Sequence, residues 1–275
     1  MRQTTLAAEA AYTGVGLHSG QEVHMVLKPA PADTGLVFKR TDIDGQPTIK
    51  ATASNVTSTM RATTIEENGQ KIFTIEHLMS AFHALQIDNC YIEIDAEEPP
   101  VADGSSLTFF QHMQAAGIKE LDAERRELVI DQVYRIDDEN QQRFVMVLPY
   151  DGFRVSFTSL NPHKLIGVQY ENFEITPELY AREIAPARTI AYEQEVEALK
   201  KMGLGLGGTL ESVIVYNDEG WLNPLHFADE LVRHKILDVI GDLRLAGPIR
   251  GHVIAVASGH ALNTALAKKI QQHLG

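Results

Sequence analysis

The segment FADELVRHKILDVIGDLRLAG, residues 227–247, restricts what this chain can fold into more than any other stretch. Drawn as a helix, Phe227, Leu231, Val232, Ile236, Leu237, Val239, Ile240 and Leu243 cover most of its circumference, so the helix belongs inside the molecule. Yet Glu230, His234, Asp238 and Asp242 recur at every fourth position and form a polar stripe along it. Ionisable groups are costly to bury unless they are paired or bound to a metal. The fold must therefore enclose this helix and give the stripe partners. His234 and Asp238 lie one turn apart on one face, a separation from which both reach a single cation. An internal His–Asp hydrogen bond or a solvated face fits the same spacing, and this segment alone does not choose among them.

The surrounding text alternates between the two periodicities. EVHMVLKPA (22–30), NCYIEIDAEEPP (89–100), LVIDQVYRI (128–136), RFVMVLPY, FRVSFTSL, ESVIVYND (211–218) and HVIAVA (252–257) read as strands bounded by Gly and Pro. TIEHLMSAFHALQI (74–87), SSLTFFQHMQAAGI (105–118), YEQEVEALKKMG (192–203) and ALNTALAKKIQQHL (261–274) carry helical apolar spacing. This mixture predicts an α+β fold with helices layered on antiparallel sheet. At 275 residues the chain suits two domains or one large one. The charged run KELDAERRE (119–127) suggests a boundary, dividing the chain into 1–126 and 127–275. The two halves share an order of elements without visible sequence repetition.

Charge and composition limit the partners. The net charge of −13 argues against a nucleic-acid surface, which needs concentrated Lys and Arg to displace counterions. It also means that a phosphorylated ligand requires a local basic patch. The single cysteine, Cys90, forms no internal disulfide. No apolar run approaches the ~18–20 residues of a membrane-spanning helix, and MRQTTLAAEAAYTG lacks the layout of a signal peptide. A soluble cytoplasmic protein is the expectation.

Further segments bear on chemistry. Glu76-His77 follows Thr74, an expected helix N-cap; a metal-ligating His beside a proton-accepting Glu suits hydrolysis, but the pair taken alone reads first as a capping acid beside a packed His. Ser258-Gly259-His260 sits where a strand meets a helix, a position suited to an acid–base residue and unremarkable otherwise. Gly203-Leu204-Gly205-Leu206-Gly207-Gly208 matches G-x-G-x-x-G literally, but it follows a helix and precedes a strand, the reverse of a dinucleotide fingerprint. Tyr12–Gly20, YTGVGLHSG, is a second glycine-rich turn and carries His18.

Together YTGVGLHSG, TIEHLMSAFHALQIDN, ARTI, GLGLGGTLESVIVYND, VRHKILDVIGDL and SGHALN, in this order across nearly the whole chain, closely resemble the UDP-3-O-(3-hydroxyacyl)-N-acetylglucosamine deacetylase family. These are zinc hydrolases of the committed step of bacterial lipid A, and so lipopolysaccharide, synthesis. The resemblance implies two layered sheet-and-helix domains with the active site between them. It implies Zn2+ held by His77, His234 and Asp238, with Glu76 as general base and His260 as the charged acid paired with Asp242. Thr189 matches a hydroxyl near the developing oxyanion, and Lys235 a substrate-binding lysine. An inserted element around 190–217, with Leu199, Met202, Leu204 and Leu206, is expected to wall an apolar passage for the acyl chain. The implied partner is a lipid-tailed UDP-sugar, met by a monomer with at most transient membrane contact. Many members carry a basic residue where this chain has Ala257, so Arg143 or Arg188 is expected to hold the diphosphate. Ala62 stands near a cysteine that is not fixed in the family.

Overall fold

The computed structural model describes residues 1–138 and 142–275, and the fold is α+β. One five-stranded sheet runs in the spatial order Ala10–Val15, Glu22–Pro29, Cys90–Ile94, Leu36–Arg40, Thr48–Lys50. A second runs Tyr134–Asp138, Arg143–Leu148, Ile249–Val256, Phe153–Leu160, Val168–Glu174, with Leu128–Val129 alongside Ile249–Val256. The two follow one plan. Each lays down four strands, makes a helix, and then inserts a fifth strand between its second and third. That inserted strand runs antiparallel to the second strand and parallel to the third in both sheets. The chain thus repeats one sheet plan without visible sequence repetition, and burial alternates along Glu22–Pro29, Cys90–Ile94 and Ile249–Val256 because one face of each sheet is covered.

The helix preceding each inserted strand is Glu76–Ala84 in the first half and Glu230–Arg244 in the second. Both are buried on nearly every side and join one continuous core that takes in Phe82, Phe110, Phe157, Leu237 and Ile240. They cross closely at Gly241, where a Cβ would stand 2.0 Å from the backbone oxygen of Glu76. Only hydrogen fits there. Gly241→Ala should therefore cost about 1–3 kcal/mol from overpacking, read as a lower midpoint of denaturant unfolding; an unchanged midpoint would mean that the helices do not touch there. Helices Leu107–Ala116 and His260–Leu274 follow the inserted strands and complete the layering.

A third unit pairs strands Thr189–Tyr192 and Val213–Tyr216 in parallel across the helix Glu193–Lys201. The glycines after that helix dock on the first glycine-rich turn. Leu206 and Gly207 donate backbone hydrogen bonds to His18 and Leu17, and a Cβ on Gly207 would lie 2.2 Å from the oxygen of Gly16. Close backbone approach accounts for Gly207, and left-handed φ of 75° and 68° for Gly203 and Gly205.

Several boundaries differ from the sequence expectation. The strand expected over 89–100 stops at Ile94, after which Glu98 turns fully inward. The one expected over 128–136 divides into Leu128–Val129 and Tyr134–Asp138. No helix among the described residues is long and apolar enough to cross a membrane.

Candidate metal centre and active site

The crossing of the two central helices places the first turn of one against the middle of the other. His77, His234 and Asp238 come together there, with ligand atoms all within 4.8 Å of one another. Asp238 Oδ1 lies 3.4 Å from His234 Nε2 and 3.9 Å from His77 Nε2. All three residues are buried, and Asp238 Oδ1 has no hydrogen-bond partner among the described residues. His234 Nδ1 bonds the carbonyl of Ala187 at 3.0 Å, which fixes the ring with Nε2 facing Asp238. Burial, and for His77 its neighbour His234, keeps both imidazoles uncharged, His77 down to about 3. Burial works against the Asp238 carboxylate, but the Lys235 ammonium, with the His260 imidazolium, outweighs it and holds Asp238 well below the usual carboxylate range. Two neutral imidazoles and an ionised carboxylate with an orphaned oxygen form a donor set suited to a divalent cation.

Next to this triad lies an acid–base group. Glu76, 3 % exposed, has its Oε1 3.8 Å from His260 Nε2. Burial raises Glu76 to about 7; His260 opposes that rise, while Asp238 and Asp242 add to it. His260 Nδ1 lies 2.9 Å from Asp242 Oδ2. Burial disfavours the imidazolium, but Asp242 and Glu76 outweigh it and bring His260 up to about 10. Asp242 is fully buried and also accepts from Asn263 Nδ2 at 2.9 Å and Thr63 Oγ1 at 2.6 Å. Thr63 donates its backbone N–H to Glu76 Oε2 at 3.1 Å, so one residue holds both carboxylates.

The expected N-cap is absent. Thr74 has φ 56°, a left-handed conformation that is strained for a β-branched residue, and its hydroxyl donates to Glu98 Oε1 at 2.9 Å. Glu98 also accepts from the backbone N–H groups of His18 and Ser19. This carboxylate therefore ties the first glycine turn to the approach of Glu76. Ala257, three residues before His260, likewise has positive φ, at 46°.

A cavity of about 1080 Å³ opens over the site. Glu76, His77, Thr189, His234, Lys235, Asp238 and His260 line it, and Lys235 Nζ donates to Asp238 Oδ2 at 2.9 Å. The third unit supplies apolar walls from Ile190, Val196, Leu199, Leu210 and Val213. Of the four residues expected along an apolar passage, Leu199 lines the cavity. Met202, Leu204 and Leu206 lie outside its lining, Met202 and Leu206 being exposed. Leu199 reaches the cavity from the helix, and from the loop beyond Lys201 the lining comes from Gly205, Gly208, Thr209 and Leu210 instead.

Cations distribute differently from the expectation. Arg143 lines the cavity and pairs with Asp138 at 2.6 Å. Arg188 does not line it: buried, it clamps Glu230 through Nε at 3.0 Å and the carbonyl of Pro224 through Nη2. Its place is structural, securing the start of the Glu230–Arg244 helix. Arg188→Met should leave Glu230 buried without its counter-charge, costing about 3–5 kcal/mol, and should lower the unfolding midpoint far more than it raises KM. A large KM effect with unchanged stability would return Arg188 to substrate binding. Arg61 and Lys200, which sequence reasoning did not single out, line the cavity. Thr63, Glu98 and Asn263 were missed too: Thr63 and Glu98 stand outside helices and strands and carry no periodic signal, and Asn263 is one buried polar residue in the helix His260–Leu274.

Comparison with known proteins agrees with the geometry. The family model described as UDP-3-O-acyl N-acetylglycosamine deacetylase matches residues 3–272. The chain is 43% identical over 271 residues to a UDP-3-O-acyl-N-acetylglucosamine deacetylase of Anaeromyxobacter dehalogenans, covering 98% of this chain and 87% of the relative. It is 40% identical to that of Marinobacter nauticus over 98% of this chain and 90% of the relative. The protein of the same name from Nitratidesulfovibrio vulgaris is 42% identical, over 99% and 89%.

Proposed function

The chain belongs to the UDP-3-O-acyl N-acetylglycosamine deacetylase family, and from that we propose that its cavity hydrolyses the N-acetyl group of a UDP-3-O-acyl-N-acetylglucosamine. The products are acetate and the free glucosamine nitrogen, at the committed step of lipid A and hence lipopolysaccharide synthesis. The observation that carries this reading is the buried His77, His234 and Asp238 triad with Glu76 and His260 against it.

His77, His234 and Asp238 would hold zinc. Bound there, zinc acts as a Lewis acid on the acetamide carbonyl and makes water more acidic. Glu76, raised to about 7, takes the proton of the attacking water. Its second oxygen is held by the Thr63 N–H, so the first is left to face the substrate. His260 stays protonated beside Asp242 and presents Nε2–H to the charge developing on the carbonyl oxygen, with the Thr189 hydroxyl adding a second donor. The C–N bond breaks as the new C–O bond completes, and a proton from Glu76 or His260 passes to the leaving nitrogen. Lys235 binds substrate from the rim. The diphosphate is held by Arg143, Lys200 and Arg61 rather than by Arg188 or a base at position 257.

We assign residues 1–126 and 127–275 to two domains, a division supported by each five-strand path lying on one side of it, with the site between them and 190–217 as an insert. The protein acts in the cytoplasm as a monomer, meeting its lipid-tailed substrate through at most brief membrane contact. The acyl chain lies along the apolar wall that includes Leu199. Kinetics on matched sugars test this. The 3-O-acylated UDP-sugar should show kcat/KM at least about 100-fold above UDP-N-acetylglucosamine, since burying even four methylenes contributes about 3 kcal/mol. Equal values for the two would instead favour a deacetylase of simpler sugars.

A further inference from the structure

A second cavity, of about 330 Å³, lies at the far ends of the two central helices. His83, in the last turn of Glu76–Ala84, and Arg244, the last residue of Glu230–Arg244, both line it. Arg244 is about 15 Å along its helix from His234 at 1.5 Å per residue. Arg125 and Arg250 bring two more guanidinium groups to the same walls.

These cations are incompletely used. Arg244, 5 % exposed, donates from Nη2 to the carbonyl of Ile87 at 2.7 Å, but its Nε and Nη1 have no hydrogen-bond partner among the described residues. Asp88 Oδ1 is shared, 3.0 Å from Arg125 Nε and 3.6 Å from Arg244 Nη2. Arg250 pairs with Glu127 at 3.2 Å and with the exposed Asp151 at 3.2 Å. Glu174, also on the cavity wall, accepts from the hydroxyl of Tyr150 at 2.7 Å. His83 Nδ1 is buried without a partner among the described residues, and burial together with Arg244 and Arg125 keeps the ring neutral. Thus a guanidinium on the wall of a polar cavity keeps two buried N–H groups without an acceptor, and neither Asp88 nor Glu127 takes them up in hydrogen-bonding geometry. A guanidinium edge matches two oxygens of one oxyanion.

We propose that this cavity is a binding site for a small oxyanion, phosphate or carboxylate, distinct from the deacetylation site and seated on Arg244, Arg125 and Arg250. Such a ligand joins the ends of both site-bearing helices and binds the native state only, so it stabilises the fold by mass action.

Thermal unfolding with inorganic phosphate or citrate, at constant ionic strength set by chloride, tests this. Wild type should show a saturable rise in Tm with at least one of the two anions. Phosphate alone assigns a phosphoryl ligand, and citrate alone a carboxylate. Arg250→Gln and Arg125→Gln, on partly exposed or shared cations and expected to fold, should weaken the apparent affinity about tenfold or more with the deacetylation rate unchanged. Arg143→Gln, in the other cavity, should leave the response intact. No saturable rise, a rise undiminished in both arginine variants, or a rise abolished in Arg143→Gln would overturn the proposal and leave a solvated cavity.

Discussion

Glu76→Gln should lower kcat by about 10²–10⁴-fold while the protein keeps its zinc and its fold. Glutamine preserves the shape and the bond from the Thr63 N–H, which is 3.1 Å from Glu76 Oε2 in the native protein. What it removes is the basic oxygen facing His260 at 3.8 Å. Because Glu76 stands beside the His77, His234 and Asp238 triad proposed to hold zinc and is not part of it, zinc content measured on the purified variant should match wild type. Loss of zinc would move Glu76 into the ligand set, and near-normal turnover would remove it from proton transfer.

The second large effect concerns His260. In the proposed mechanism its active form is the imidazolium, which Asp242 at 2.9 Å favours up to about pH 10. The sign follows directly. Activity is supported below that value and lost as pH rises through it, whereas Glu76 must be ionised, so activity is lost as pH falls through its value near 7. A bound divalent cation draws both limbs to lower pH. Asp242→Asn removes the charge that sustains the imidazolium, so the alkaline limb should move to lower pH. Above the new value each unit of that shift cuts the protonated fraction tenfold. At pH 8.5 the rate should fall at least about tenfold, with partial recovery at lower pH. A pH–rate profile whose alkaline limb does not move would show that Asp242 only packs.

What the sequence made legible follows from periodicity and from chemistry that needs a repeat. The 227–247 helix announced both its burial and its polar stripe, because a 3.6-residue period and a four-residue spacing are visible in one line of text. The structure accounts for each member of that stripe: Glu230 meets Arg188, His234 and Asp238 meet His77, and Asp242 meets His260. Illegible were the contacts between distant loops. Thr63 binds Glu76 and Asp242 only because its loop crosses both helices, and Glu98 serves the first glycine turn only because its strand ends early at Ile94. Arg188 was expected, with Arg143 as the alternative, to hold the diphosphate, and the structure commits it to Glu230. The shared order of elements in the two halves was legible, but the insertion of the fifth strand between the second and third was not, since strand pairing leaves no mark in the text.

The charge of −13 also takes on a local meaning. Glu76, Asp238 and Asp242 are buried and directed toward cations, while Arg61, Arg143, Lys200 and Lys235 border the cavity, so the site is far less acidic than the chain as a whole.

The central claim is that this buried triad carries a metal that the hydrolysis requires. The direct measurement is acetate release from the 3-O-acylated UDP-sugar by protein stripped with a chelator and then titrated with zinc. Activity should disappear on stripping and return along a curve that breaks at one zinc per chain. Full activity in the stripped protein, or restored zinc with no acetate released, would contradict the account.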